Sequence, residues 1–404
     1  MSRWVMSVGA VIFAMMAIQM SSLGFSPLLP AIRTEFGASY SQIGLFTGMY
    51  GLIAIVLSLP AGLIAARFGE KRSLLAGLFV TAIGLVCLSR ASSFPFALAS
   101  RALWLIGYRV AFICIFTAMA ITTPREYRSR TMGVLGSLAA LASVIGAPFG
   151  ARIEESFGWR GGITGFAGIA LLGAAVFAIF YRAVPRGSDT STAGSPGQAI
   201  TKDSVSALRN PIVWGMILLG LINMGGFSAT FFVPYAVESV FGLQAREAAR
   251  IISASYIASM FLNPLFGYLC DRFERWTMMI GLAVLLIPAC FAVMSSNLLV
   301  FRVAIALVIA LGHCATNQIY AIAGYVLSER EAGKGMGIVG LGSGIFGYIG
   351  PQMLGYLRDA TGGFTAGWLF VAMAATISLV DLLILRAYSR QAVGGWWARQ
   401  NSNL

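Results

Sequence analysis

Charged residues are scarce in this sequence: Asp, Glu, Lys and Arg make up 11% of its 404 residues, against about 25% in a typical soluble domain. Acidic residues number only 15, and histidine occurs once. Hydrophobic residues, by contrast, account for 58% of the chain. This composition excludes an ordinary soluble protein and a disordered chain, and it is typical of a polytopic helical membrane protein.

The sequence also lacks the motifs of several kinds of catalytic or binding site. It has no GxxxxGK[ST] loop for ATP and no cluster of metal-ligand residues, so we expect no cofactor, no metal and no enzymatic activity. The net charge of +13 is spread between apolar runs rather than gathered on one face, which argues against nucleic-acid binding. Five widely spaced cysteines, none in CxxC spacing, are interpreted as packing residues: Cys87, Cys114, Cys270, Cys290 and Cys314.

Long apolar segments bounded by charges or by Gly, Pro and Ser predict twelve membrane spans. The first is interpreted as an uncleaved span rather than a signal peptide, because no clear small-residue cleavage site follows it. The segments, numbered here as spans 1 to 12, are 5–30, 42–66, 73–90, 94–123, 129–151, 161–182, 211–238, 247–270, 277–295, 297–327, 335–357 and 365–388. A segment rich in Ser, Thr, Gly and Pro divides the chain into an N-terminal half (1–183), a cytoplasmic linker (184–210), a C-terminal half (211–390) and a cytoplasmic tail (391–404).

The distribution of basic residues predicts the orientation. With both termini in the cytoplasm, 18 of the 28 Lys and Arg residues fall in inner loops and tails and 7 fall in outer loops. This asymmetry follows the positive-inside rule, so we expect a multi-pass protein of the cell's inner membrane with cytoplasmic termini. The remaining three arginines, Arg101, Arg109 and Arg302, lie inside predicted spans.

The two halves of the chain repeat each other at an offset near 205 residues. GLIAARF at 62–68 aligns with GYLCDRF at 267–273, and each segment ends the second span of its half. With the residues that follow it, the first copy (GLIAARFGEKR at 62–72) resembles the signature loop of the major facilitator superfamily, with Gly62, Arg67, Gly69, Lys71 and Arg72 at matching positions. PLLPAIRTEFGASYSQIG before span 2, FGWR at 157–160 and GPQMLGYLRDATGGF at 350–364 also resemble patterns of that family.

That resemblance implies an all-α membrane protein with the MFS fold, twelve transmembrane helices in two pseudo-symmetric six-helix halves. It also implies a substrate site near mid-membrane between the halves and access that alternates by rocking. In the signature loop Arg67 is kept but Ala66 replaces the family's Asp, whereas the second copy keeps the acid as Asp271, followed by Arg272. Arg67, Asp271 and Arg272 are therefore expected to gate the cytoplasmic side. Because only one acid remains, we expect one acidic contact that closes this side, here called a latch, instead of two.

Ionisable residues at membrane depth are costly and are often functional. Arg109 lies at the middle of span 4 and is interpreted as an anion clamp, with a purely structural arginine as the alternative. Arg101 lies two turns nearer the outer end and resembles the family's arginine of helix 4, so a structural or gating role is expected. Arg302 lies near the start of its span and can extend its side chain toward the outer surface.

At the repeat offset of 205 residues, the position that corresponds to Arg109 is 314, at the middle of span 10 and beside the single histidine. His313, Asn317 and Tyr320 share one face there. With Asn223 of span 7 and Gln19 of span 1, these residues are predicted to bind the substrate, because the resemblance implies that helices 1, 4, 7 and 10 line the cavity.

Spans 1, 4, 7 and 10 hold no carboxylate near mid-depth. We therefore expect a monomeric secondary transporter of a small organic anion, with a carboxylate as a candidate, driven by proton symport or by anion exchange. One alternative is a proton-driven multidrug efflux antiporter, and another is a transporter-like sensor or binding protein. Membrane lipid, the anion and protons are the expected partners.

Overall fold

The computed structural model describes residues 3–124, 127–182, 211–326 and 329–401. Within these ranges some side chains are not described, among them those of Asp271, Asn317 and Tyr320. The described residues form helices with short connections. The helices are α1 (Arg3–Gly24), α2 (Leu29–Phe36), α3 (Tyr40–Phe68), α4 (Glu70–Ser89), α5 (Phe94–Thr122), α6 (Arg128–Phe180), α7 (Pro211–Leu218), α8 (Leu221–Phe241), α9 (Ala245–Arg272), α10 (Arg275–Ala292), α11 (Leu298–Val326), α12 (Glu329–Thr361) and α13 (Thr365–Asn401).

The predicted all-helical membrane architecture is confirmed: spans 5 and 6 lie together on α6, spans 1 and 7 each lie on two helices, and each other span lies on one. Among the described residues, ten stretches are long and apolar enough to cross a membrane. One of them, Val134–Phe180, has 47 residues and contains spans 5 and 6. It bends at Gly158, whose φ of 66° is readily adopted by a residue without a Cβ. The predicted linker 184–210 lies outside the described residues, and α13 continues through most of the segment predicted as a tail.

Spans 1 and 7 are each interrupted. In span 1 the α-helix ends at Gly24 and a 3₁₀ turn, Ser26–Leu28, precedes α2. In span 7 a turn at Leu219 and Gly220 separates α7 from α8. Interrupted helices inside transporters expose backbone and side-chain groups to the protein interior. The residues around both breaks are therefore candidates for a functional site.

Helices α4 and α5 of the N-terminal half pack backbone against backbone through small residues. A Cβ added at Gly107 of α5 would lie 2.6 Å from the carbonyl oxygen of Gly77 in α4, and one at Gly77 would lie 2.7 Å from the amide nitrogen of Ala111. These approaches leave no room for a methyl group, as is common where helices associate inside membranes.

Replacing Gly107 with alanine is expected to destabilise the protein by about 1–3 kcal/mol, because the new methyl group meets backbone that cannot turn away. The thermal unfolding midpoint in detergent measures this effect. Gly168→Ala in α6 is the matched control, since nothing lies within 4 Å of a Cβ there and alanine favours the helix. Equal midpoints for the two variants would contradict the close-packing argument.

The two halves meet at one face of the molecule, which we call the outer face following the predicted orientation. There α3 packs on α12, where the Cβ positions of Gly44 and Gly48 point at backbone oxygens of Pro351 and Tyr348. In parallel, α6 packs on α9, where the Ser253 hydroxyl donates to the Val144 carbonyl at 2.8 Å. We call these two contacts between the halves the outer seam.

Candidate functional site

A cavity of about 400 Å³ lies between the two halves at mid-depth. Gln19 of α1 and His313 of α11 line it together with Tyr256 of α9. It continues between α6 and α9 as far as Met132 and Pro264, near the predicted inner ends of those helices. The cavity therefore begins below the outer seam and extends toward the inner face.

Neutral hydrogen-bonding groups connect this cavity to α3 and α5. The Tyr108 hydroxyl donates to Gln19 Oε1 at 2.5 Å, and it lies 3.5 Å from the Tyr50 hydroxyl. Because Gln19 Oε1 accepts this bond, the amide NH₂ of Gln19 remains as a donor on the side that lines the cavity. The Tyr50 ring in turn contacts the Phe227 ring of α8 at 5.1 Å between centroids, which links the two halves.

The histidine and the asparagine predicted for the site lie on adjacent helices. The His313 ring packs on the Tyr256 ring at 5.2 Å between centroids, and its Nε2 is buried with no hydrogen-bond partner among the described residues. Asn223 Oδ1 is likewise buried without a partner there, and it lies against Gly312. The side chains of Asn317 and Tyr320 lie outside the described residues, so their predicted roles remain predictions.

Arg109 lies one residue from Tyr108 but is not among the residues that line the cavity. Its guanidinium carbon is 5.8 Å from the ring centroid of Phe112, the next turn of the same helix. The structure thus brings Gln19 and His313 together, while Arg109 occupies another face of α5 at similar depth.

Arg101 is the most unusual side chain near the site, because it is completely buried. Its guanidinium carbon lies 4.0 Å from the ring centroid of Trp104, 4.1 Å from that of Phe25 and 5.5 Å from that of Phe46. Phe25 belongs to the break in span 1, Trp104 to α5 and Phe46 to α3. We call these three rings and the guanidinium they enclose the arginine box.

None of the three guanidinium nitrogens of Arg101 has a hydrogen-bond partner among the described residues. Burying an unpaired ion costs several kcal/mol, and cation–π contacts recover about 2 kcal/mol when they are desolvated. The indole nitrogen of Trp104, beside the guanidinium, is also buried without a partner in the described part of the chain. The five N–H groups of this guanidinium match the fork of a planar anion, but Arg101, like Arg109, is not among the residues that line the cavity.

From its position in span 4 and its resemblance to the family's arginine of helix 4, the sequence predicted a structural or gating role for Arg101. The signal that identifies it as a candidate binding residue is the break in span 1, which places Phe25 on its face. Of the other predicted gating residues, Arg67 lies over the Phe68 ring at 5.4 Å and Arg272 donates to the Tyr268 hydroxyl at 2.8 Å. The Asp271 side chain lies outside the described residues, so the cytoplasmic latch stays a prediction.

Comparison with known proteins supports the architecture. The family model of the Major Facilitator Superfamily matches residues 9–258 and 222–396. The chain is 25% identical over 410 residues to a protein of Agrobacterium vitis named as a tartrate transporter, covering 94% of this chain and 89% of that protein. It is 26% identical over 408 residues to a protein of Thermus thermophilus named as a nitrate/nitrite antiporter, covering 92% of this chain and 89% of that protein.

Among solved structures, the chain resembles a bacterial homologue of the human lysosomal transporter Spinster in an inward-facing, occupied conformation. The TM-score is 0.73 at 17% identity, and the match covers 96% of both chains. At this identity the likeness concerns the fold, and it agrees with two packed bundles of membrane helices.

Proposed function

This chain belongs to the Major Facilitator Superfamily, and we propose that it is a secondary transporter that carries a small anion with a planar oxyanion group, such as a carboxylate. The anion crosses the cell's inner membrane by alternating access between the two halves. Both termini lie in the cytoplasm, as the basic loops favour. Relatives named as tartrate and nitrate/nitrite transporters support this substrate class.

The observation that carries the proposal is the arginine box. A guanidinium that is fully buried, and whose three nitrogens have no hydrogen-bond partner among the described residues, is costly unless an anion binds it during the working cycle. A planar oxyanion matches the fork of a guanidinium in a bidentate arrangement. The aromatic walls of the arginine box also favour an anion that loses its hydration water readily.

The remaining polar residues then form the path on the inner side of the box. Gln19, held by Tyr108, and His313 present hydrogen-bonding groups to the cavity. Asn223 and Arg109 contribute polar groups at similar depth. Protons taken up with the anion, or a second anion moving the other way, drive the movement, since the sequence holds no ATP-binding loop.

The experiment that tests this proposal combines a thermal-shift screen with flux. We expect nitrate, tartrate or a monocarboxylate to raise the unfolding midpoint of the purified protein, by about 2.7 kcal/mol of stabilisation at a hundredfold excess over Kd. Neutral sugars and cationic dyes serve as controls for the charge of the ligand. The same anion is then expected to enter proteoliposomes when an imposed pH gradient or a preloaded anion supplies the driving force.

Each contrary outcome has a definite meaning. Stabilisation by cationic dyes alone would replace this proposal with proton-driven efflux. Binding of an anion without flux under either gradient would favour a transporter-like sensor instead.

A further inference from the structure

An acidic side chain at the outer end of α12 bonds directly to the backbone of the other half. Asp359 Oδ1 accepts from the Tyr40 amide at 3.0 Å, and Asp359 Oδ2 accepts from the Ser41 amide at 2.7 Å. Tyr40 and Ser41 are the first two residues of α3, more than 300 positions away in the chain. Both carboxylate oxygens of one side chain thus bind successive amides across the outer seam.

These two amides have no partner inside their own helix, because the first N–H groups of any helix lack one. The Ser39 side chain satisfies only the next amide, that of Gln42. Asp359 therefore completes the cap of α3 from the opposite half, with a negative charge placed at the positive end of the helix. The cap is complete only while the halves touch.

The surroundings show how closely the two helices are matched at this point. The Tyr40 ring lies 3.9 Å from the Arg33 guanidinium carbon and 4.9 Å from that of Arg358, one arginine from each half. The Gln352 amide donates to the Ser41 hydroxyl at 3.3 Å. A Cβ at Gly355 would collide with the Tyr40 carbonyl oxygen. The first turn of α3 therefore packs closely against α12, in addition to its charged contact with Asp359.

We infer that Asp359 is the latch of the outer seam. Its carboxylate holds the first turn of α3 against α12 while the outer side is closed, and it must release both amides before that side opens. Losing two charge-assisted hydrogen bonds shifts the balance toward the outward-open state. The inference concerns closure alone and does not depend on which substrate the protein carries.

Asp359→Asn tests the latch, because it removes the charge at nearly constant size from an exposed position. A single cysteine at Ser253, which is buried in α9 against Val144 of the other half, reports opening of the outer seam in a background without the five native cysteines. We expect a membrane-impermeant maleimide added from outside to label this cysteine about fivefold to tenfold faster in the variant, the shift expected from loss of a charged helix cap. Hydrogen exchange of the Tyr40 and Ser41 amides should rise in parallel.

Glu247→Gln is the matched control. Glu247 is also an outer-face carboxylate, but it pairs with Arg250 and Arg302 of its own half, so its loss should leave labelling unchanged. Wild-type labelling and exchange in Asp359→Asn would overturn the latch. An equal increase of the labelling rate in both variants would also overturn it, since the loss of any negative charge on the outer face would then have the same effect.

Discussion

Arg101→Met is expected to abolish anion binding and uptake while it raises the thermal stability of the protein without ligand. The substitution removes a buried charge whose nitrogens have no partner among the described residues. Replacing buried charged groups with well-packed apolar ones is often stabilising, by about 1–4 kcal/mol. A gain in stability with a loss of binding is what a residue kept for function rather than packing would show.

Two measurements on the same preparation check this result: the unfolding midpoint without ligand, and counterflow of the labelled anion found in the screen. Arg101→Lys should restore little uptake, because a point charge cannot reproduce the bidentate fork. A lower midpoint together with undiminished counterflow would make Arg101 a structural residue held by its aromatic neighbours.

Arg109→Gln is the matched comparison, because it removes the same charge from the same helix eight positions away. Sequence position alone favours Arg109 as the clamp, whereas burial and the arginine box favour Arg101. We expect Arg109→Gln to weaken uptake but to leave part of it. Complete loss of uptake in Arg109→Gln with little loss in Arg101→Met would return the role of anion clamp to Arg109.

The twelve spans could be predicted from sequence because the hydrocarbon thickness requires long apolar segments, whatever the helices pack against. The breaks in spans 1 and 7 could not be predicted in the same way. Proline alone does not mark them: Pro27 and Pro30 lie at the break in span 1, but helices continue through other prolines of this chain. Such prolines are Pro60, Pro148, Pro234, Pro264, Pro288 and Pro351. A break is stable only where the surrounding protein satisfies the freed backbone, which depends on tertiary contacts.

In the candidate site, too, some features could be predicted from the sequence and others depend on tertiary contacts. Depth in the membrane is readable from sequence, and it placed Gln19 and His313 at a level where they do share a cavity. The direction in which a side chain points around the bundle is not readable. Arg101 and Arg109 differ by about 80° around α5, and which of them meets Phe25 depends on how span 1 bends. Asp359 was part of a recognised pattern, but its partners lie in the other half.

Joining α6 to α9 across the outer seam is expected to stop transport completely. Ser253 and Val144 are adjacent across the seam, as the hydrogen bond of 2.8 Å between them shows. A disulfide or a short bifunctional thiol reagent can therefore link Val144→Cys to Ser253→Cys in a background without native cysteines. If the outer side must open once in each cycle, the linked protein should lose essentially all counterflow, and reductant should restore it after disulfide formation.

The linked protein should still bind the anion from the inner side, because the cavity continues toward Met132 and Pro264. The thermal shift measured with the link intact tests this point. The matched control links Ile64→Cys to Ser73→Cys, a hydroxyl-to-carbonyl contact of 3.2 Å within the N-terminal half, which should leave counterflow unchanged because that half moves as a unit. Transport that persists in the protein linked between Val144 and Ser253 would mean that the α6–α9 contact stays closed throughout the cycle, and that the anion reaches the outer side between α3 and α12 alone.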